Sequence, residues 1–400
     1  MSTLHERLVG ESCSILSVHQ HKCTETAGGA AGALRESAPD RLAEVDGLAM
    51  SACSWRLVET ANLQRHLSCK HSLASANLLA SIRMPSPRPL PPIVYHPAYS
   101  PEFPAGHRFP MQKYARLAEV LGEEGLIGPE GLHTPEAASF ELLAAVHEPV
   151  YVREVLDLTV PSKVERVIGL PMTRGVSDRS RMEVGGTLLA AQLALRYGLA
   201  CNTAGGSHHA GPTKGAGFCV FNDIAVVCRA MIDAGEIEQV LVVDLDVHQG
   251  DGTAFIFEDE PRVFTFSMQG EKNYPVRRGP SDLDIDLPDG TGDELYMTEL
   301  RATLPGLLER VAPDLVFYIA GVDPHVSDRL GRLALSDEGL LERDSYVLET
   351  CLPMAPVVGV TGGGYDLDIY KLARRHATLH RAAATAWRSG LARPAALSDV

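Results

Sequence analysis

The alternation of short apolar runs with helix-length segments predicts an α/β fold, a mainly parallel central sheet with helices on both faces. Three observations support this. Six runs have strand length: Ile93–Tyr95, Gly198–Thr203, Val240–Asp246, Val263–Met268, Leu315–Ala320 and Pro356–Thr361. Helix candidates lie between and after them, at Thr187–Tyr197, Asp223–Ala234, Glu294–Val311 (interrupted at Pro305-Gly306) and Asp368–Trp387. Most polar motifs fall just after a run, and such folds bind ligands at the carboxyl ends of their strands.

In chain order, Ile93–Tyr95 emerges from the proline-rich stretch Met84–Pro92. Gly198–Thr203 leads into Gly205-Gly206-Ser207-His208-His209. The unbroken apolar run Val240–Val243 reads as a buried strand that delivers Asp244, Asp246, His248 and Asp251. Leu315–Ala320 leads to Asp323, and Pro356–Thr361 leads to Gly362-Gly363-Gly364-Tyr365. No internal repeat of solenoid length is present.

The chain has 400 residues, 45% hydrophobic and 22% charged, ordinary values for a globular protein with a sizeable core. Its formal net charge of −15 argues against a broad basic surface for nucleic acid. The acidity lies after residue 90, and an acidic body would attract cationic partners such as lysine-rich peptides or polyamines. Eight cysteines are too few for a disulfide scaffold, and Cys219, Cys228 and Cys351 read as reduced core residues. No apolar stretch is long enough for a membrane span, and the N-terminus lacks signal-peptide character, so a cytoplasmic protein is expected.

Residues 1–83 read as a poorly ordered extension that does not conform to the α/β pattern, or as sequence upstream of a start at Met84. Cys69 and His71 lack the paired spacing of a zinc module. Residues 84–92 read as a linker, 93–390 as the catalytic domain and 391–400 as a tail.

Asp246 and His248 are two apart at a strand end and can point to the same side. A carboxylate and an imidazole suit zinc, and Asp323 is the best third ligand. Three such ligands leave a coordination position for water and substrate. His208 and His209 could be further ligands, but Asp244 and Asp251 are available to accept from their Nδ1–H groups. Two Asp–His pairs beside a metal would supply a general base and a proton-donating partner.

At these motifs the chain resembles the histone deacetylase family of the arginase–deacetylase superfamily. The resemblance rests on Gly205–Ala210, Gly217-Phe218-Cys219, Phe221-Asn222-Asp223, Asp244–Gly252, Ala320–Asp323, Asp328-Arg329-Leu330-Gly331 and Gly362–Tyr365. His107–Met111, His248-Gln249 and Asp328–Gly331 are most similar to class IV enzymes and related bacterial deacetylases. The resemblance implies removal of acetyl or longer acyl groups from lysine side chains or related amines, by attack of a zinc-bound water. It implies one zinc ion held by Asp246, His248 and Asp323. His208 and His209 would be the acid–base groups, with Asp244 and Asp251 behind them, and Tyr365 the oxyanion donor. Gly217, Phe218, Tyr274 and Leu330 would line the acyl-lysine tunnel, and Asp244 with Ser267 would hold a structural potassium ion.

Ser207 stands where many relatives carry a larger apolar residue, which predicts a wider pocket. Gln249 is not expected to be a ligand, and His325, His96, His107 and His147 read as structural. Two other readings compete. An arginase-like two-manganese ureohydrolase would need a second acidic ligand set, and a catalytically silent acyl-amine binding protein would have lost a ligand or the tyrosine.

Overall fold

A computed structural model describes residues 89–393. The extension 1–83 with Cys69 and His71, linker residues 84–88 and tail residues 394–400 lie outside the described residues. Seven strands form one sheet: β1 Ile93–Val94, β2 Leu199–Asn202, β3 Val240–Asp244, β4 Val263–Gly270, β5 Leu283–Leu287, β6 Leu315–Ile319 and β7 Val357–Val360. Their order is β1-β2-β7-β6-β3-β4-β5, and every pairing is parallel. Each of the six apolar runs coincides with a strand, β4 continuing two residues past its run to Gly270. The seventh, β5, escapes the apolar-run criterion because it is an edge strand reading Leu-Asp-Ile-Asp-Leu.

Ten α-helices accompany the sheet among the described residues. They are α1 Lys113–Glu123, α2 Phe140–Ala144, α3 Pro149–Asp157, α4 Ser162–Ile168 and α5 Arg174–Tyr197, followed by α6 Asp223–Asp233, α7 Asp251–Phe257, α8 Asp293–Val311, α9 Asp337–Cys351 and α10 Ile369–Arg388. Helix α5 starts well before the expected Thr187. Thr173 caps it by accepting from the Val176 N–H, and its first half buries Ser177, Arg179, Ser180 and Glu183, which hide the apolar period. The interruption expected at Pro305-Gly306 is absent. Helix α8 runs through Pro305 because Leu300, Leu304, Leu307 and Leu308 are buried along it. No helix among the described residues is long and apolar enough to cross a membrane.

Strand residues alternate between two cores. Leu241, Val243, Val316, Tyr318 and Val357 face one cluster with α8, α9 and α10. Val240, Val242, Phe317, Ile319 and Val358 face another with α5 and α6. This double burial explains why β3 and β6 read as continuous apolar runs. Leu90, Pro91 and Pro92, read as linker, are buried, and the Pro92 carbonyl accepts from the Cys201 N–H of β2. Cys201, Cys219, Cys228 and Cys351 are buried free thiols.

Register aligns the business ends of the central strands. Asp244 at the end of β3 is level with Ile319 of β6 and Ser267 of β4, and Ile319 is level with Val360 of β7. The segments that leave β3, β6 and β7 therefore start side by side. Arg343 of α9 ties two of them together, donating to the carbonyls of Leu245 at 3.1 Å and Gly321 at 2.6 Å.

Three histidines are built into the interior as neutral groups. His147 accepts from the Asn222 N–H and bonds the Gly211 carbonyl, and burial pushes its pKa down to about 4. Neither ring nitrogen of His376 or His380 has a hydrogen-bond partner. Burial, then Arg381, pushes His380 down to about 3. Each is neutral when folded but protonates near 6.5 when unfolded, so stability is complete above about pH 6.5 and declines as pH falls toward the folded values. One such residue accounts for ~2 kcal/mol between pH 6.5 and 5. Urea midpoints are therefore expected to fall steadily from pH 7.5 to 5, and His380→Leu should flatten that slope. Midpoints independent of pH over this range would contradict the assignment.

Candidate active site

The loops after β2, β3, β6 and β7 converge at the carboxyl edge of the sheet. Asp246 and His248 follow β3 and Asp323 follows β6. One ligand-capable atom from each lies within 4.8 Å of the others, and all three residues are buried. His248 Nδ1 is 2.9 Å from Asp246 Oδ1 and 3.2 Å from Asp323 Oδ2. Asp323 Oδ2 is buried and, apart from this ionic contact, has no hydrogen-bond partner. The other Asp246 oxygen accepts from the Gly363 N–H at 2.6 Å.

Two buried carboxylates around one imidazole leave negative charge uncompensated. Burial, then Asp246, drives the Asp323 carboxyl up to about 7. Burial alone would lower His248, yet the Asp246 and Asp323 carboxylates raise it to about 10. The cluster thus has a strong demand for a cation, and its oxygen and nitrogen donors suit a first-row metal ion. Glycine is required beside it. A Cβ on Gly363 would come within 2.1 Å of Asp323 Oδ2 and 2.7 Å of Asp246 Oδ2.

The tandem histidines flank this cluster. His208 Nδ1 is 2.6 Å from Asp244 Oδ2, and His209 Nδ1 is 2.6 Å from Asp251 Oδ1. These bonds leave each Nε2 free of its carboxylate partner, and His208 Nε2 is 3.9 Å from Asp246 Oδ1. The two rings have opposite electrostatics. Burial opposes charge on His208, but Asp244 and Asp246 hold its pKa up at about 9. Burial and then the His208 cation push His209 down to about 4 against the pull of Asp251. The neighbours thus bias His208 toward the imidazolium and His209 toward the free base.

Tyr365 follows the Gly362–Gly364 turn. Its N–H donates to Asp328 Oδ2 at 2.7 Å, and Asp328 Oδ1 accepts from the Leu330 and Gly331 N–H groups. Burial, then Asp323 and Asp246, raises the phenol far above its ordinary range, so it remains an O–H donor. His209, Gly217, Phe218, His248, Tyr274, Leu330 and Tyr365 line one cavity of about 370 Å³. Phe218 has φ +68°, a conformation costly for a bulky residue, which turns its ring toward Tyr365 at 5.8 Å. Tyr274 meets the His209 ring edge-on at 4.8 Å.

Ser207 does not line that cavity but a smaller one beneath it. It is buried, and its hydroxyl donates to Glu183 Oε1 at 2.9 Å. Glu183 pairs with Arg179 at 2.8 Å, and Arg179 donates to the Tyr114 hydroxyl. This polar network surrounds an inner cavity of only about 30 Å³ beneath the site.

Ser267 and Asp244 are cross-strand neighbours, and the Ser267 hydroxyl is buried without a partner. Gln249 holds the segment that carries Tyr274, through the Gly279 main chain, Ser281 and Asp284. His325 bonds Ser327 and pairs with Asp337 at 3.3 Å. His96 and His107 accept from nearby backbone N–H groups.

Sequence reasoning missed Lys113, Arg179, Glu183 and Arg343. Lys113 is fully buried, donates to the Gly362 carbonyl at 3.0 Å and is lowered by burial to about 8. These residues sit on helices far from the motifs in sequence, and only charges within otherwise apolar helical faces hinted at them.

Comparison with known proteins agrees with the motifs. The family model described as histone deacetylase domain matches residues 107–381. An uncharacterized protein of Picosynechococcus sp. is 52% identical over 293 residues, 73% of this chain and 98% of that protein. Histone deacetylase 2 of Arabidopsis thaliana is 31% identical, covering 65% of this chain and 70% of its own length. A probable deacetylase of Archaeoglobus fulgidus is also 31% identical, over 69% and 81%. The crystal structure of the HDA15 HD domain shares the fold with a TM-score of 0.59 at 20% identity, covering 75% of this chain and 88% of that one. A parallel sheet, convergent strand-end motifs and this range of relatives lead to one conclusion: the chain belongs to the histone deacetylase family of amide-bond hydrolases.

Proposed function

We propose that this protein is a zinc-dependent amidohydrolase that removes acyl groups, acetyl above all, from lysine side chains or related amines. The observation that carries the reading is the placement of His209, a neutral imidazole backed by Asp251, in the same cavity as His248 and the Tyr365 phenol. Asp246, His248 and Asp323 would hold one zinc ion per chain. Bound there, zinc supplies Lewis acidity toward the acyl carbonyl and the attacking water.

The remaining steps fall to the protein. His209 Nε2 takes a proton from the attacking water. The Tyr365 hydroxyl donates to the developing oxyanion. A protonated imidazole, His209 after its first step or the His208 cation, returns a proton to the departing amine. Asp244 and Asp251 keep both rings oriented. Phe218, Gly217, Tyr274 and Leu330 would enclose the alkyl stem. Asp244 and the unpartnered Ser267 hydroxyl would hold a structural monovalent cation, potassium by preference. The inner cavity, about 30 Å³, has room for a group near the size of one water and supports short acyl chains.

Three outcomes are expected. Acetate release from an acetyl-lysine peptide should fall by ~10²-fold or more in Tyr365→Phe and in His209→Ala, and undiminished turnover in both would refute these roles. Metal analysis should give one zinc per chain in wild type, with Gly363→Ala losing most of it while keeping the wild-type circular dichroism spectrum. Full metal retention would show that the two carboxylates are not its ligands. On one lysine peptide, acetyl should turn over at least ~10-fold faster than octanoyl, and equal rates would exclude the inner cavity as the acyl site.

A further inference from the structure

The mouth of the cavity has the opposite charge to the molecule around it. The chain carries a net −15, yet Arg108, Arg166, Lys272 and Arg332 all line the opening and no aspartate or glutamate does. All four are exposed. Their own pairing is thin. Lys272 and Arg332 share one carboxylate, Asp289, at 3.7 and 3.0 Å. Arg108 lies over the Phe218 ring at 5.0 Å, and Arg166, in the last turn of α4, has no ion-pair partner among the described residues.

Four cations around one opening repel each other, and an acidic surface offers ample carboxylates that could have neutralised them. They converge instead on the passage to His209 and Tyr365. A charged rim of this kind raises the local concentration of counter-charged ligands and disfavours like-charged ones within about a Debye length, ~10 Å at 0.1 M salt. Lysine-rich peptides and polyamines, which the overall charge favours, meet repulsion here.

We infer that the preferred substrates are anionic acylated amines, carrying a carboxylate close to the stem of the acylated amine. The inference rests on the deacylase reading above and specifies its substrate class. The carboxylate has two possible sources: an acidic residue flanking an acyl-lysine in a peptide, or the α-carboxylate of a small acylated amino acid.

The test uses the full-length, zinc-loaded protein and three acetyl-lysine peptides that differ only in flanking residues: Glu, Gln or Lys. At low salt, kcat/KM is expected to follow Glu > Gln > Lys, with about tenfold between the extremes that shrinks at ~0.5 M salt. Arg166→Glu should narrow the Glu-to-Lys ratio at least threefold, and Arg166→Lys should keep it. Free Nε-acetyl-lysine against its carboxamide separates the two sources: a preference confined to this pair assigns the small molecule, and one confined to the peptides assigns the flanking acid. Fluorescence anisotropy with labelled versions of the same ligands reads the charge preference without turnover. Loss of turnover with tighter binding of Glu-flanked ligands would defeat the deacylase reading and leave the charge preference standing. Equal affinities, or tighter binding of Lys-flanked ligands, would overturn the inference whatever the turnover.

Discussion

The structure is organised around an excess of buried negative charge at one edge of the sheet. Asp244, Asp246 and Asp323 are each almost fully buried, at the ends of adjacent parallel strands. Isolated, such carboxylates would be too costly to keep ionised. The surrounding fold supplies compensation from every side. It includes the imidazoles of His208 and His248, the Gly363 N–H, the Lys113 ammonium behind Gly362, and Arg343, which braces the Leu245 and Gly321 carbonyls. What remains uncompensated is the demand for a cation at Asp323 Oδ2.

The same electrostatics separate the tandem histidines. Adjacent in sequence and each paired to an aspartate at 2.6 Å, they differ in what lies beyond the pair. Asp244 and Asp246 raise the pKa of His208, whereas burial and the neighbouring His208 lower that of His209. One ring is biased toward the charged form and the other toward the neutral form, a division that comes from neighbours and not from residue type.

Charge is partitioned on a larger scale as well. An inner polar network of Arg179, Glu183, Ser207 and Tyr114 closes the floor of the site, and four cations ring its mouth. Net charge read from composition describes neither place. It averages over many surface carboxylates, of which Asp289 alone, among the described residues, pairs with rim cations.

Several features were legible in the sequence because they depend on local pattern. Apolar runs of strand length marked six of seven strands, and the strand-end motifs named the residues that the loops bring together. Edge strand β5 was not legible, because its exposed positions are polar. The length of α5 was hidden by buried polar residues, and the break expected at Pro305 was overridden by leucines packed on the sheet. The sequence by itself determined which side chains could form a metal-binding and acid–base site. Only the tertiary structure decided the opposite electrostatics of the tandem histidines, the small inner cavity and the positive rim. They depend on residues brought together across space: Asp246 beside His208, Arg179 and Glu183 around the inner cavity, and Arg108, Arg166, Lys272 and Arg332 at the mouth, from segments that no local pattern connects.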